Sequence, residues 1–355
     1  MKKARITRRM ILSTAALAAA LTLPGAVAWA ESGSSAATWL HSSFGAYTGT
    51  VDGVRTPFDP TIHNNSMAIS PDERIAVATN SESDHLVVVD LRRDRKITEI
   101  KGYVSPRNIL FAPDGQSFTV SDSTLGVVDQ ISTRTFRVEK RLPLGAGVFG
   151  TAQTKDGKRL YANNQASNTV TVVDRVNSTP QTVLTGFSQP RQGVKLNSAE
   201  DTLYVTNFQG DRITAVDTKT YKTKDISGIK EVRGLSINRD GTRLYAASTF
   251  DNTVSIVDTA SGLIVKKVPV GPKPYGAALS PDEKILFSGN MEGNSLTAVD
   301  PTTGAATATV TGLKGPRQAI SFSADSKTAW VLNSDLTIAE VNVDGLEVTR
   351  TLGSR

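Results

Sequence analysis

Seven positions recur along the chain at a constant interval of 42 residues: Asn65, Arg107, Phe149, Arg191, Arg233, Tyr275 and Arg317. Four carry guanidinium groups and two carry aromatic rings. Arginine presents a planar fork of N–H donors that matches a carboxylate or a phosphate, and aromatic faces accept bases or sugar rings. If the repeat closes into a ring, equal spacing places these side chains around one axis, at the mouth of a central channel. Four like charges held together repel unless something negative compensates them. An anionic ligand is one solution. The other is pairing within the protein: Glu82, Asp84, Asp122, Asp211, Asp251, Glu292 and Asp335 fall in loops expected on the same face. Both readings stay open on the sequence.

Other recurring polar positions have plainer explanations. Asn80, Asp122, Asn164, Asn207, Ser248, Asn290 and Asn333 recur at strand ends, where such side chains bond nearby backbone. Aspartates that close apolar runs, such as Asp174 and Asp258, precede turns and are expected to shape them. The three histidines form no metal set. His41 and His85 are expected at the surface. His63, two residues before Asn65, falls at the expected channel mouth as a ligand contact or an acid/base. No Gly-rich phosphate loop, nucleophile elbow or metal-ligand spacing occurs, so no cofactor is expected. With no cysteine in the chain, disulfides, thiolate nucleophiles and cysteine-ligated metals are excluded.

What must position the ring is a repeat. A turn element returns at Pro71-Asp72-Glu73, Pro113-Asp114-Gly115, Lys155-Asp156-Gly157, Ser198-Ala199-Glu200, Arg239-Asp240-Gly241, Pro281-Asp282-Glu283 and Ala324-Asp325-Ser326, with central residues 42, 42, 43, 41, 42 and 43 apart. An apolar run closed by Asp keeps the same period, as in Val88-Val89-Asp90 and Ile256-Val257-Asp258. Within each period, short stretches rich in Val, Ile, Thr and Tyr are punctuated by Gly, Pro, Asn and Asp, which is a pattern of strands and turns. Four strands in about forty residues make one propeller blade, and the expected fold is all-β, a seven-bladed β-propeller of four-stranded antiparallel blades over residues 65–355.

Tyr204-Val205-Thr206-Asn207 spells a YVTN signature, and related tetrads stand at Val77-Ala78-Thr79-Asn80, Tyr161-Ala162-Asn163-Asn164, Phe287-Ser288-Gly289-Asn290 and Trp330-Val331-Leu332-Asn333. From about Ser66 to Leu352 the chain resembles the YVTN-repeat propellers, and its N-terminus makes the periplasmic YncE-like proteins the nearest resemblance. That resemblance implies a propeller and, because some YncE-like proteins bind DNA, a nucleic-acid ligand. Repeat motifs specify a fold better than an activity.

Residues 1–30 have the form of an export signal. A basic start (Lys2, Lys3, Arg5, Arg8, Arg9) leads into an apolar run from Met10 to Leu23 and a small-residue cleavage site at Ala28-Trp29-Ala30. Thr7-Arg8-Arg9-Met10-Ile11-Leu12 resembles a twin-arginine motif, which implies export in the folded state, with an ordinary Sec signal as the alternative. Removing this segment takes the balance from 40 basic and 34 acidic residues to 35 and 34, so overall charge gives no support to nucleic-acid binding. The mature protein is expected to be soluble, monomeric and periplasmic or secreted. Within residues 31–64, Tyr47 to Val54 is a candidate strand for closing the ring on the last blade.

These observations favour a non-catalytic binding module. Its expected ligand is an anion, single-stranded DNA or a phosphate or carboxylate compound, held by Arg107, Arg191, Arg233 and Arg317 with Asn65, Phe149, Tyr275 and His63. The alternatives are a lactonase-like hydrolase that uses His63 and a scaffold for partner proteins.

Overall fold

The computed structural model describes residues 64–353 and the backbone of two short strands, Thr50–Val51 and Val54–Arg55. The export segment, His41 and His63 lie outside the described residues. From Asn65 onward the chain builds seven four-stranded antiparallel sheets, each from one continuous stretch whose strands pair in sequence order. They are the blades of a seven-bladed, all-β propeller and cover residues 65–101, 106–143, 148–184, 190–227, 232–269, 278–310 and 320–352. No helix among the described residues is long and apolar enough to cross a membrane.

Burial explains the sequence pattern. The third strand of blade 1, His85–Asp90, is buried from Leu86 onward. A strand lying between two neighbouring sheets is covered on both faces and reads as a continuous apolar run. The fourth strands, such as Arg95–Lys101 and Val138–Pro143, form the perimeter and are largely exposed. The apolar core is divided into seven clusters, one for each junction between blades. At the junction of first and last blades, Met67, Val89 and Leu91 pack with Trp330, Leu332, Ile338 and Leu352.

The turns between first and second strands interlock around the ring. Their third residues all have positive φ: Glu73 (55°), Gly115 (68°), Gly157 (68°), Glu200 (59°), Gly241 (75°), Glu283 (61°) and Ser326 (62°). Such a conformation costs a non-glycine residue on the order of 1 kcal/mol. Each of the four non-glycine side chains, however, accepts a backbone N–H from the preceding blade's turn. The pairs are Glu73 with Ala324 (2.7 Å), Glu200 with Lys155 (2.5 Å), Ser326 with Asp282 (3.0 Å), and Glu283 with Arg239. At Gly115 and Gly157, which have no side chain to reach across, the preceding Pro71 and Pro113 rings pack against the turn instead.

All four strands of blade 7 come from residues 320–352. The segment proposed for ring closure, Tyr47 to Val54, lies mostly outside the described residues, and Thr50–Val51 pairs with Val54–Arg55 in a separate hairpin. The described closure is made by side chains. Besides Glu73, Arg350 Nη2 donates to Leu91 O at 3.2 Å, and Asp94 Oδ1 accepts the Gly353 N–H at 3.0 Å.

Candidate anion site and the closed channel

The residues spaced by 42 lie at the start of the innermost strands, and local backbone irregularity aims them. In blades 2 to 5 the ladder between first and second strands shifts register at this point, between Pro106/Asn108, Val148/Thr151, Pro190/Val194 and Val232/Leu235. A bulge turns a side chain away from the regular alternation of a strand. Close approach of the next blade adds a constraint: a Cβ on Gly150 would lie 2.5 Å from Arg191 O, and one on Gly234 would lie 2.7 Å from Tyr275 O. In blades 6 and 7, Tyr275 and Arg317 precede the regular strands Ala278–Leu279 and Ile320–Phe322.

Cations and rings alternate around the resulting tier. The Arg107 guanidinium lies 4.9 Å from the Phe149 ring centre, and Arg191 lies 3.5 Å from Phe208. Arg233 sits 4.2 Å from Phe208 and 4.6 Å from Tyr275, whose other neighbour is Arg317 at 5.7 Å. The tier divides by exposure. Asn65, Arg107, Phe149 and Arg191 are buried, whereas Arg233, Tyr275 and Arg317 keep part of their surface accessible. Arg107 is built in most deeply: Nε donates to Ser123 Oγ at 2.7 Å and Nη1 to Asn64 Oδ1 at 2.8 Å. Arg191 Nη2 donates to Gln189 Oε1 at 2.9 Å, and Arg233 Nε to Thr249 Oγ1 at 3.4 Å. Asn65 is turned to the closing junction, its Nδ2 donating to Leu332 O at 3.3 Å.

Several carboxylates weighed as partners for the arginines are engaged elsewhere. Asp84 meets His85, Asp251 meets Lys267 and Asp335 meets Lys314, each at 2.8 Å. Asp122 accepts four backbone N–H groups, from Val104, Ser105, Thr124 and Leu125. Asp211 accepts the Glu231 N–H. The strand-end amides and the aspartates closing third strands also hold backbone. Asn164 bonds Ala166 and Ser167, and Asp300 bonds Thr302 and Thr303.

Beneath the arginines, amide side chains cross the axis. Gln192 Oε1 accepts Nδ2 of Asn64 at 3.0 Å and Nε2 of Gln318 at 2.5 Å, while Gln192 Nε2 donates to Asn108 Oδ1 at 3.2 Å. Asn108 Nδ2 in turn donates to Thr151 Oγ1 at 2.8 Å. This layer closes the channel. Between it and the arginines remains a space of only about 20 Å³, room for about one water molecule. On its other side a chamber of about 570 Å³ opens toward the Pro71, Pro113 and Pro281 turns.

Asn64, Gln192, Gln318 and Phe208 were not among the residues singled out from sequence. Phe208 follows the strand-end Asn207, at a position held in other blades by Ser81, Ser123, Gln165, Thr249, Met291 and Ser334. It is the only aromatic residue in that series, which was its available signal.

Residues 236–348, covering most of blades 5 to 7, match the family model described as a YncE-like β-propeller. That match and the seven-bladed architecture together support a YncE-like propeller family. The four earlier blades continue the same repeat in this YncE-like chain, and no curated protein matches it. A solved structure of Kuenenia stuttgartiensis hydrazine synthase is similar, with a TM-score of 0.70 and 17% identity over 83% of this chain and 99% of that one. At that identity the likeness is one of fold. Among its described residues, this YncE-like propeller has no group of three or more His, Cys, Asp and Glu placed to hold a metal.

Proposed function

We propose that this YncE-like propeller is an exported, non-catalytic binding module that holds an anionic ligand against the accessible part of its arginine tier, Arg233, Tyr275 and Arg317. The stacking carries this reading. A guanidinium within about 6 Å of a ring centre is attracted by the ring's negative face, and its planar fork of donors suits a phosphate or carboxylate. The cations thus stand clustered on aromatic supports.

The closed axis defines how such a ligand binds. With about 20 Å³ inside the tier, a nucleotide base has no room to insert, and a strand cannot thread the propeller. Single-stranded DNA would lie across the face, its phosphates meeting the arginines. A small phosphate or carboxylate compound would bind at the same edge. Export to the periplasm belongs to this proposal and rests on the form of residues 1–30.

The test uses purified protein with labelled single-stranded DNA, duplex DNA and inorganic phosphate over a salt series, beside an Arg233→Ala/Arg317→Ala variant. DNA binding that weakens steeply with salt and is lost in the variant supports the proposal. Binding unchanged in the variant removes the arginine face from the function.

A further inference from the structure

The chamber beyond the amide layer has one charged side chain in its lining, Lys195. Lys195 belongs to the first strand of blade 4, Pro190–Leu196. Lys195 pairs with Tyr204 of the second strand, and at the equivalently paired positions of the other blades stand Ala68, Leu110, Ala152, Ser236, Ala278 and Ser321, all uncharged. The lysine is open to the chamber yet enclosed by its wall, and desolvation holds its ammonium below the usual lysine range. Among the described residues it has no carboxylate partner. The cavity therefore contains a cation and nothing to neutralise it.

The wall around this charge is largely apolar. Ile69, Phe111, Leu279, Ile320 and Phe322 line it and are only partly buried, so they present hydrocarbon to the chamber. A volume of about 570 Å³ is in the range of small-molecule sites, roughly 300–1,000 Å³. A lone ammonium and uncovered hydrocarbon together describe a complementary guest: one negative group attached to something apolar.

We propose that this chamber binds a small amphipathic anion, a carboxylate bearing a short apolar chain or ring, with Lys195 opposite the carboxylate. The guest approaches from the Pro71, Pro113 and Pro281 end, because the amide layer bars the way from the arginine tier. The site is separate from the arginine face and stands whether or not that face binds an anion.

The test is a calorimetric titration of the full chain with hexanoate, 1-hexanol and hexylammonium. Hexanoate is expected to bind once and saturably. Hexanol should bind about tenfold more weakly or worse, the scale of one charge-assisted hydrogen bond, and hexylammonium not at all. Lys195→Met should lose about tenfold in hexanoate affinity and retain hexanol binding. In the native chain, hexanoate should also slow acetylation of Lys195 by acetic anhydride and leave exposed Lys222 unaffected, which locates the guest independently of how the variant folds. Equal affinity for hexanoate and hexanol, undiminished hexanoate binding by Lys195→Met, or unprotected Lys195 would each overturn the proposal.

Discussion

The carboxylate of Glu73 in the first blade accepts the backbone N–H of Ala324 in the last, at 2.7 Å. The same contact recurs as Glu200 with Lys155 inside the chain, where blades 3 and 4 are also joined by peptide. At the Glu73 junction no described strand is shared, and side-chain contacts and the local apolar cluster hold the ends together. Glu73→Ala is expected to lower the unfolding free energy by about 1 kcal/mol, read as a shift in the urea midpoint. Glu73→Gly should cost less, because glycine relieves the positive φ. A larger loss for glycine would contradict this account of the turn.

The arginine tier should separate into scaffold and surface on mutation. Arg107 is fully buried and bonds Ser123 and Asn64, so Arg107→Ala leaves a void and unsatisfied polar atoms. The expected loss is about 3 kcal/mol. Arg317 is partly exposed, and Arg317→Ala should change stability by less than about 1 kcal/mol while weakening anion binding. Denaturation and binding curves on both variants check this. A neutral Arg107→Ala would show that the deep arginine is not structural.

Gln192 is the hub of the amide layer, contacting Asn64, Gln318 and Asn108. Gln192→Ala takes a hydrogen-bond partner from each of Asn64, Gln318 and Asn108, and the expected cost is about 2 kcal/mol. Gln192→Glu keeps the shape but places a carboxylate below the arginines; it should retain more stability than the alanine variant and weaken anion binding to the face. Thermal unfolding and phosphate titration distinguish the two. An alanine variant as stable as the parent would mean that the layer contributes nothing to the fold.

Acid should undo the turns after the third strands. The Asp258 carboxyl is held down to about 2, first by the Ser261 backbone N–H, then by its hydroxyl and the Arg243 guanidinium. Asp174, Asp217 and Asp300 are lowered by similar backbone bonds. A depressed folded-state value means that the stabilisation is present above the unfolded carboxyl's ordinary 3.8 and is lost as pH falls toward about 2. The unfolding free energy should therefore decline through that window. In Asp258→Asn the decline should be shallower, as measured by denaturant melts at several pH values; equal slopes would show that Asp258 does not contribute.

The fold was legible in the sequence because a blade is a local object. Its strands and turns are neighbours along the chain, so Asp72 and Asp114 or Val89 and Val257 could be compared directly by period. The same interval brought the arginines to one tier. It did not show that bulges would aim them at aromatic rings, since a register shift depends on how the adjacent strand pairs. The amide layer escaped for a different reason: Asn108, Gln192 and Gln318 each follow a tier arginine and share its 42-residue interval, but which of them bond across the axis, as Gln318 and Asn64 do to Gln192 over 126 and 128 residues of chain, is set by packing and not by spacing. Lys195 was visible only as an exception within its own series, one ammonium among neutral neighbours.

A plugged axis makes the propeller two cups set base to base, not a conduit. Solutes that settle at opposite ends never compete for the same volume, yet the shared base is a single fabric in which Gln192 and Gln318 face both sides. If a guest in one cup tugs on either glutamine, thermodynamic reciprocity requires that the affinity of the other cup change by the same factor.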